Sequence, residues 1–323
     1  MHFSRFATVF LLLFLTLSCG EAPQSPEWAL VIHGGAGVIS RDQLAESRQE
    51  YVDGLRSALA TGQRILAAGG TSLDAVESVL AAMEDNPLFN AGKGAVYNWD
   101  GGHELDASIM NGADHACGAV AGVTTVKNPI RLARLVMERS RHVLFGADGA
   151  EAFADAMEMD RVDPTYFDTE RRRESWENFR EDQEKHGTVG CVALDVSGNL
   201  AAGTSTGGLT GKRFGRVGDS PIIGAGTWAD NRTCAVSGTG VGEEFIRHGV
   251  AQRIADLMEY AGLGVTEAAE KVVHGILQEG DGGVIVLDAK GNAAMVYNTN
   301  GMFRGRASSD GLLEVLIWDE VEE

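Results

Sequence analysis

The order of apolar runs predicts an α+β protein in which two β-sheets lie between layers of helix. Three observations carry that expectation. Of the 323 residues, 44% are hydrophobic, enough for a sizeable core in one large domain or two. The 42 glycines far outnumber the 6 prolines, and many of them flank short apolar runs, as a layered fold with tight turns requires. Segments with helical spacing alternate with strand-like runs, and the second half is β-rich and then mixed.

Taken in order, 21–27 is a polar linker, and 28–32 is an apolar run entering the glycine turn His33-Gly34-Gly35-Ala36-Gly37, hence a strand. A helix is predicted from Ser40, with Gln43 completing a capping box, and Leu44, Tyr51, Leu55, Leu59, Ile65 and Leu66 keep its spacing to about Ala68. Thr71 and Asp74 open a second helix with Val76, Val79, Leu80 and Met83 inward, which stops before Pro87. A glycine-rich loop over 87–94 precedes strands at about 103–110 and 116–123. Asn128-Pro129 starts a further helix, 151–159 is another, and the charged tract 171–185 is a solvated helix or a linker. Strands are predicted at 188–196 and 200–204 around the turn Ser197-Gly198-Asn199, and again at 233–236. A helix covers about 242–260, Thr266 caps one to about Leu277, and strands at 283–287 and 293–297 flank a last turn.

The formal charge is -19, from 27 basic and 46 acidic residues, which argues against nucleic acid and anionic membrane surfaces as partners. Residues 1–20 carry Arg5, an apolar run over 6–17, and then Ser18, Cys19 and Gly20. That is the pattern of a secretory signal peptide, too short for a spanning helix. Cys19 resembles the lipobox cysteine of a bacterial lipoprotein, with Thr16 where that pattern expects Leu; ordinary cleavage after Gly20 is the rival reading. Either route exports the protein, to the periplasm or to a membrane held by a lipid anchor at Cys19. The other cysteines, Cys117, Cys191 and Cys234, have neither disulfide nor metal spacing and read as buried small hydrophobes.

The stretch with the most chemistry is His186-Gly187-Thr188-Val189-Gly190. It joins a charged, exposed tract to a buried strand. A Gly-Thr pair is often an ordinary strand entry. If the bond breaks, however, Thr188 carries both a hydroxyl and a free α-amine, a nucleophile with its own base. Three later segments bear on the same chemistry. Gly203-Thr204-Ser205-Thr206-Gly207-Gly208 reads as a hydroxyl-rich turn whose hydroxyls can orient the nucleophile's proton. Gly215-Arg216-Val217-Gly218-Asp219-Ser220-Pro221 sets Arg and Asp three apart in a glycine-bracketed loop, a clamp for the carboxylate and ammonium of an α-amino acid or a surface ion pair. Ser237-Gly238-Thr239-Gly240-Val241-Gly242 reads as a turn before a helix whose backbone N–H groups suit an oxyanion.

These segments resemble the plant-type asparaginases and isoaspartyl peptidases, N-terminal-nucleophile hydrolases of the threonine class. The resemblance runs from Leu30 to Arg304. It rests on Ile32-His33-Gly34-Gly35-Ala36-Gly37, Phe89-Asn90-Ala91-Gly92, Glu104-Leu105-Asp106-Ala107, the Thr188 stretch and the three segments after it. It implies a four-layer αββα sandwich formed by 28–323 as one domain, self-cleaved between Gly187 and Thr188 into an α chain and a β chain, two such pairs associating as a dimer of heterodimers. It further implies that Thr188 attacks the side-chain amide of asparagine or a β-aspartyl dipeptide bond, and that Thr206 hydrogen-bonds the nucleophile. Thr239 and Gly240 would form the oxyanion hole, and Arg216 and Asp219, with Gly240 and Gly242 beside them, would bind the substrate. Asn90 would position the nucleophile. No cofactor is expected beyond a structural sodium ion, which in relatives is wrapped by backbone carbonyls matching Met83, Glu84, Asn86, Phe89, Ala91 and Lys93. The runner-up readings are a glycosylasparaginase-like amidase, whose family usually has Asp before the nucleophile and Asn where Gly207 stands here, and a non-catalytic amino-acid-binding lipoprotein.

Overall fold

The computed structural model describes residues 25–179 and 187–322. Residues 1–24, with the expected signal segment and Cys19, and 180–186, with His186, lie outside the described residues. Twelve strands form two sheets. The larger contains β1 (Ala29–Gly37), β2 (Leu105–Asn111), β3 (Cys117–Val123), β4 (Leu144–Gly146), β5 (Val189–Leu194), β6 (Leu200–Thr206), β11 (Gly301–Ser308) and β12 (Leu313–Leu316), in the spatial order β12-β11-β1-β5-β6-β2-β3-β4. The smaller contains β7 (Thr227–Ala229), β8 (Cys234–Gly240), β9 (Gly282–Asp288) and β10 (Ala293–Tyr297), in the order β10-β9-β8-β7.

The alternation of side chains along each strand explains the layering. On β5, Val189, Cys191 and Ala193 face helices α2 (Arg48–Ala67), α3 (Ser72–Glu84) and α4 (Pro129–Arg139), whose apolar faces supply Leu55, Leu59, Val76, Leu80 and Leu132. The opposite positions Val192 and Leu194 pack on Ala235, Ile285 and Leu287 of the smaller sheet. That sheet's outer face is covered by α8 (Val250–Ala261) and α9 (Val265–Val273), through Ile254, Ala268 and Val272. The result is helix, sheet, sheet, helix: the predicted αββα sandwich. Helix α3 starts as expected, the Thr71 side chain accepting from Asp74 N–H at 3.1 Å.

Several expected elements differ. The helix expected from Ser40 to Ala68 is two: α1 (Arg41–Leu44) stops before 45–47 and α2 begins at Arg48, and the Ser40 side chain makes no cap bond. The helix expected over 242–260 divides at Gly249, whose φ of +57° is a left-handed helix stop, into α7 (Gly242–His248) and α8. Gly264, not Thr266, caps α9, which ends at Val273. The helix expected at 151–159 is α5 (Ala147–Ala156), and the charged tract contributes α6 (Glu170–Glu177). The glycine turn after Ile32 is strand: β1 runs to Gly37 with a register shift between His33 and Gly35. Likewise 204–206 and 237–240 are strand rather than turn. Strands β4, β7, β11 and β12 had no counterpart in the pattern; β11 and β12 close the sheet beside β1.

Candidate active site

Thr188 immediately precedes β5, which lies between β1 and β6 near the middle of the larger sheet. Parity carries Thr188 and Gly190 to the side facing the smaller sheet, as it does Thr204 and Thr206 on β6, and it turns Ser237 and Thr239 of β8 toward the larger sheet. The functional side chains are therefore buried between two sheets.

The Gly187–Thr188 peptide is intact and tightly held. The Gly187 carbonyl accepts from Asn90 Nδ2 at 2.7 Å and from Thr206 Oγ1 at 2.9 Å. Thr188 Oγ1 donates to Thr206 Oγ1 at 3.3 Å, and Gly208 N–H donates to the same oxygen at 3.0 Å. Thr206 thus touches both the hydroxyl of Thr188 and the carbonyl next to it. Asn90 is fixed in turn: its Nδ2 also donates to Gly208 C=O at 2.8 Å, and its Oδ1 accepts from Val96 N–H at 3.0 Å. Gly35, at φ +114°, passes beside this peptide; a Cβ there would lie 3.4 Å from Gly187 Cα and 3.5 Å from Thr188 N. The positive φ is what calls for glycine, since the contacts themselves are of ordinary length.

Behind Thr188 runs a chain of buried polar groups. The Thr188 carbonyl can only accept, so the His33 Nδ1 that lies 3.1 Å away carries the proton. His33 Nε2 then accepts from Ser237 Oγ at 3.0 Å, and Ser237 Oγ lies 2.7 Å from Thr204 Oγ1. Thr204 Oγ1 meets Thr227 Oγ1 at 2.5 Å. Ser108 Oγ lies 2.8 Å from Thr227 Oγ1 and 2.6 Å from the Ser220 carbonyl, next to Asp219. Burial pulls the His33 imidazole down to about 3, against the hydrogen bond to Thr188, so the ring is neutral. Gly190 makes this contact possible: a Cβ there would lie 2.0 Å from His33 Nε2 and 2.1 Å from Ser237 Oγ.

The charged part of the site is the 215–221 loop. The Arg216 fork is oriented by Glu243, Nε and Nη2 donating to its carboxylate at 2.9 and 2.8 Å. Asp219 is buried with Oδ2 unpartnered among the described residues, and burial pushes its carboxyl up to about 7, against the attraction of Arg216. Gly242 lets the pair close on the start of α7, since a Cβ there would lie 2.9 Å from both Arg216 Nη2 and Asp219 Oδ1. Thr188, Thr206, Arg216, Asp219 and Gly240 line one pocket with a free volume of about 10 Å³, room for about one water. Thr239 stands behind Gly240, fully buried, its Oγ1 accepting from Ala36 N–H at 3.3 Å. The amide of Val241, expected to face an anion, donates to Asp281 C=O at 2.7 Å instead.

The structure therefore brings Asn90, Gly187, Thr188, Thr206, Arg216, Asp219, Gly240 and Gly242 to one place. Sequence reasoning gave no individual role to His33, Ser237, Thr204 or Glu243, and none to the side chain of Glu84. Glu84 ends α3 on its apolar face, accepts from Ser205 Oγ at 2.6 Å and Ile130 N–H at 3.0 Å, and is pushed up to about 8 by burial against those bonds. Its signal was visible: an acidic residue four positions after Leu80 on a buried stripe. For the hydroxyls the signal was strand parity.

Known proteins similar to this chain identify its family. The family profile described as asparaginase matches residues 26–317. An isoaspartyl peptidase of Escherichia coli K12 is 48% identical over 292 residues, covering 85% of this chain and 91% of that protein. A probable isoaspartyl peptidase/L-asparaginase of Arabidopsis thaliana is 41% identical over 324 residues, covering 90% and 99%. A plant-type L-asparaginase of Pyrococcus furiosus is 41% identical over 297 residues, covering 85% and 94%. With the profile spanning most of the sequence and such relatives matched nearly end to end, the chain belongs to the asparaginase family of isoaspartyl peptidases and plant-type L-asparaginases.

Proposed function

We propose that the chain cuts itself between Gly187 and Thr188 and then hydrolyses β-aspartyl dipeptides and the side-chain amide of L-asparagine, with Thr188 as nucleophile. The observation that carries this reading is the Gly187 carbonyl held by Asn90 and Thr206 while the Thr188 hydroxyl rests on Thr206. Two donors on a scissile carbonyl stabilise the negative charge that develops on its oxygen when it is attacked. Thr188 Oγ attacks the Gly187 carbonyl carbon. The C–N bond breaks, the hydroxyl proton passes to the Thr188 nitrogen, and an ester remains. Water hydrolyses that ester, releasing the Gly187 carboxylate and restoring the hydroxyl. Thr188 then carries a free α-amine, ordinarily near about 7.7–8.0 and suited to act as base at neutral pH.

In the second reaction Arg216 holds the substrate α-carboxylate and Asp219 its α-ammonium. Thr188 Oγ, deprotonated by the α-amine, attacks the side-chain carbonyl, whose oxygen is met by Thr239 and Gly240. Ammonia or an amino acid leaves with that proton, and water cleaves the β-aspartyl ester to give aspartate. The nearly filled pocket of the uncut chain supports this order, cleavage first and substrate second. Gly207 disfavours the glycosylasparaginase-like alternative: an Asn there would set its Cβ 2.7 Å from both Asn90 Oδ1 and Ala95 Cβ. The intact hydroxyl machinery likewise disfavours a mere binding protein.

A sodium ion fits the 83–93 loop. Among the described residues the carbonyls of Glu84, Phe89 and Lys93 receive no backbone N–H, while those of Met83, Asn86 and Ala91 each accept one, and glycines admit their approach: a Cβ at Gly92 would lie 2.3 Å from Glu84 O and one at Gly94 2.1 Å from Phe89 O. Met83, Glu84, Asn86, Phe89, Ala91 and Lys93 would hold it by their carbonyls, stiffening the loop that carries Asn90. We also propose export by the N-terminal segment and pairing of two cleaved copies. Among the described residues no helix is long and apolar enough to cross a membrane.

Intact mass tests the central step. Wild type should give two fragments breaking at 187–188, and Thr188→Ala a single chain. An uncut wild type would remove the free amine on which the reaction depends.

A further inference from the structure

Gly187 lies between two cavities. On one side is the small Arg216–Asp219 pocket. On the other is an open cleft of about 650 Å³, which Gly187 and Asn90 line at one end and Arg171 and Arg172 line elsewhere. Its walls are mainly apolar or uncharged, including Tyr51 and Ile39. Two cations on such a wall call for an account in a chain of net charge -19. Of the three consecutive arginines of α6, Arg173 pairs with Asp168. Arg171 and Arg172 have no carboxylate partner among the described residues; the Arg171 guanidinium lies 5.2 Å from the Tyr51 ring.

The wall is also built rather than incidental. Arg172 Nε donates to Gly94 C=O at 2.6 Å and Nη2 to Leu88 C=O at 3.3 Å, leaving Nη1 unassigned. Burial lowers its guanidinium to about 10, still charged at neutral pH. Tyr51 Oη donates to the same Leu88 carbonyl at 3.2 Å, and its ring stacks on Phe303 at 4.2 Å. Trp176 fastens the far end of α6, stacked on Tyr97 at 5.6 Å. Leu88 is two residues from Asn90, which holds the scissile carbonyl, so one short loop ties the arginine wall to the reacting centre.

We propose that this cleft is a leaving-group subsite. It takes the residue that departs when a β-aspartyl bond is cut, with that residue's free carboxylate on the Arg171–Arg172 wall and its side chain against Tyr51 and Ile39. The inference rests on the hydrolase reading and deepens it. Once the aspartyl half sits on Arg216 and Asp219, its scissile carbonyl faces Thr188, and the departing amine points to the other side of Gly187. Asparagine, whose leaving group is ammonia, makes no use of the cleft. The favoured substrates are β-aspartyl peptides whose leaving residue is apolar and ends in a carboxylate.

The test compares β-aspartyl-leucine with its C-terminal amide on self-cleaved enzyme, wild type and Arg171→Glu. The acid-to-amide ratio is measured within each protein, so any general loss cancels. Wild type should favour the acid by about tenfold in kcat/KM, mainly through KM, the scale of one charge-assisted contact. Arg171→Glu should bring the ratio to one or below. Equal use of acid and amide by wild type, or a preference that survives in Arg171→Glu, overturns the subsite while leaving the hydrolase reading intact. Cleaved wild type that turns over neither asparagine nor β-aspartyl-leucine overturns both.

Discussion

Two parts of the site meet at Thr188 and are built in opposite ways. Behind it, His33, Ser237, Thr204, Thr227 and Ser108 form a neutral, fully buried set of hydrogen bonds. In front of it, Arg216 is paired with Glu243 beside a small pocket, and Asp219 is a buried carboxyl that ionises at about 7. The difference separates holding from recognising. A residue that the proposed cleavage would turn into a nucleophilic chain end needs fixed partners whose charge does not vary, and neutral groups with satisfied bonds remain stable between two sheets. An amino-acid substrate brings both signs of charge and is sorted by fixed charges of opposite sign.

The largest effect should follow from striking the point where the two parts join. Thr206→Val removes both the donor to Gly187 C=O and the partner of the Thr188 hydroxyl, and should slow self-cleavage by about 10²–10³-fold or more. Gel densitometry of uncut chain over time reads this directly, and cleavage at the wild-type rate would show that the carbonyl is not activated there. Next comes the neutral part. Ser237→Ala leaves the buried His33 Nε2 without its donor and removes one of the partners of Thr204, and should cost about 1–3 kcal/mol of stability by denaturant melts. The same change in Arg216 should not: Arg216→Lys is expected to raise KM for asparagine about tenfold with little change in the melt. Were the two variants to behave alike, the division between holding and recognising would fail.

The smallest effect is also the sharpest, because the two parts titrate with opposite sign. His33 falls from 6.5 to about 3 on folding, so its contribution is present above 6.5 and is lost as pH falls toward 3. Asp219 rises from 3.8 to about 7, so its contribution is present below 3.8 and is lost as pH rises toward 7. In the same upper range the ionised Asp219 becomes available to a substrate ammonium. KM for asparagine should therefore fall from about pH 6 to about pH 8, roughly one unit either side of that value, in steady-state assays, by a factor that Asp219→Asn removes. A flat KM in wild type would mean that Asp219 does not meet the ammonium.

The fold's layering was legible because period-two apolar runs and amphipathic helices are local properties. Thr71 capping α3 and Asn128-Pro129 opening α4 are local as well. The misread glycine stretches share one cause. Segments such as 34–37 and 237–240 look like turns until partners are known; here Gly190 and Gly240 are strand glycines that clear space for neighbouring groups. Thr188, Thr206, Arg216 and Asp219 were legible as motifs. His33, Ser237 and Thr204 were not, because their meaning lies in a contact between sheets whose members are up to 204 residues apart.

Were the chain cut between Gly187 and Thr188 as proposed, the strand order would decide how the two fragments hold together. Along the larger sheet, β12 and β11 belong to the second fragment, β1 to the first, β5 and β6 to the second, and β2, β3 and β4 to the first. Three seams therefore join the fragments, carrying eight, five and six residue pairs between β11 and β1, β1 and β5, and β6 and β2. Neither piece can leave without tearing the sheet open along its length. Yet once melted, the two pieces must find each other again, so recovery becomes second order in protein where the uncut chain's was first order. The cleaved protein would be durable while folded and slow to return in dilute solution: a molecule made from one message that can be assembled only once on its own.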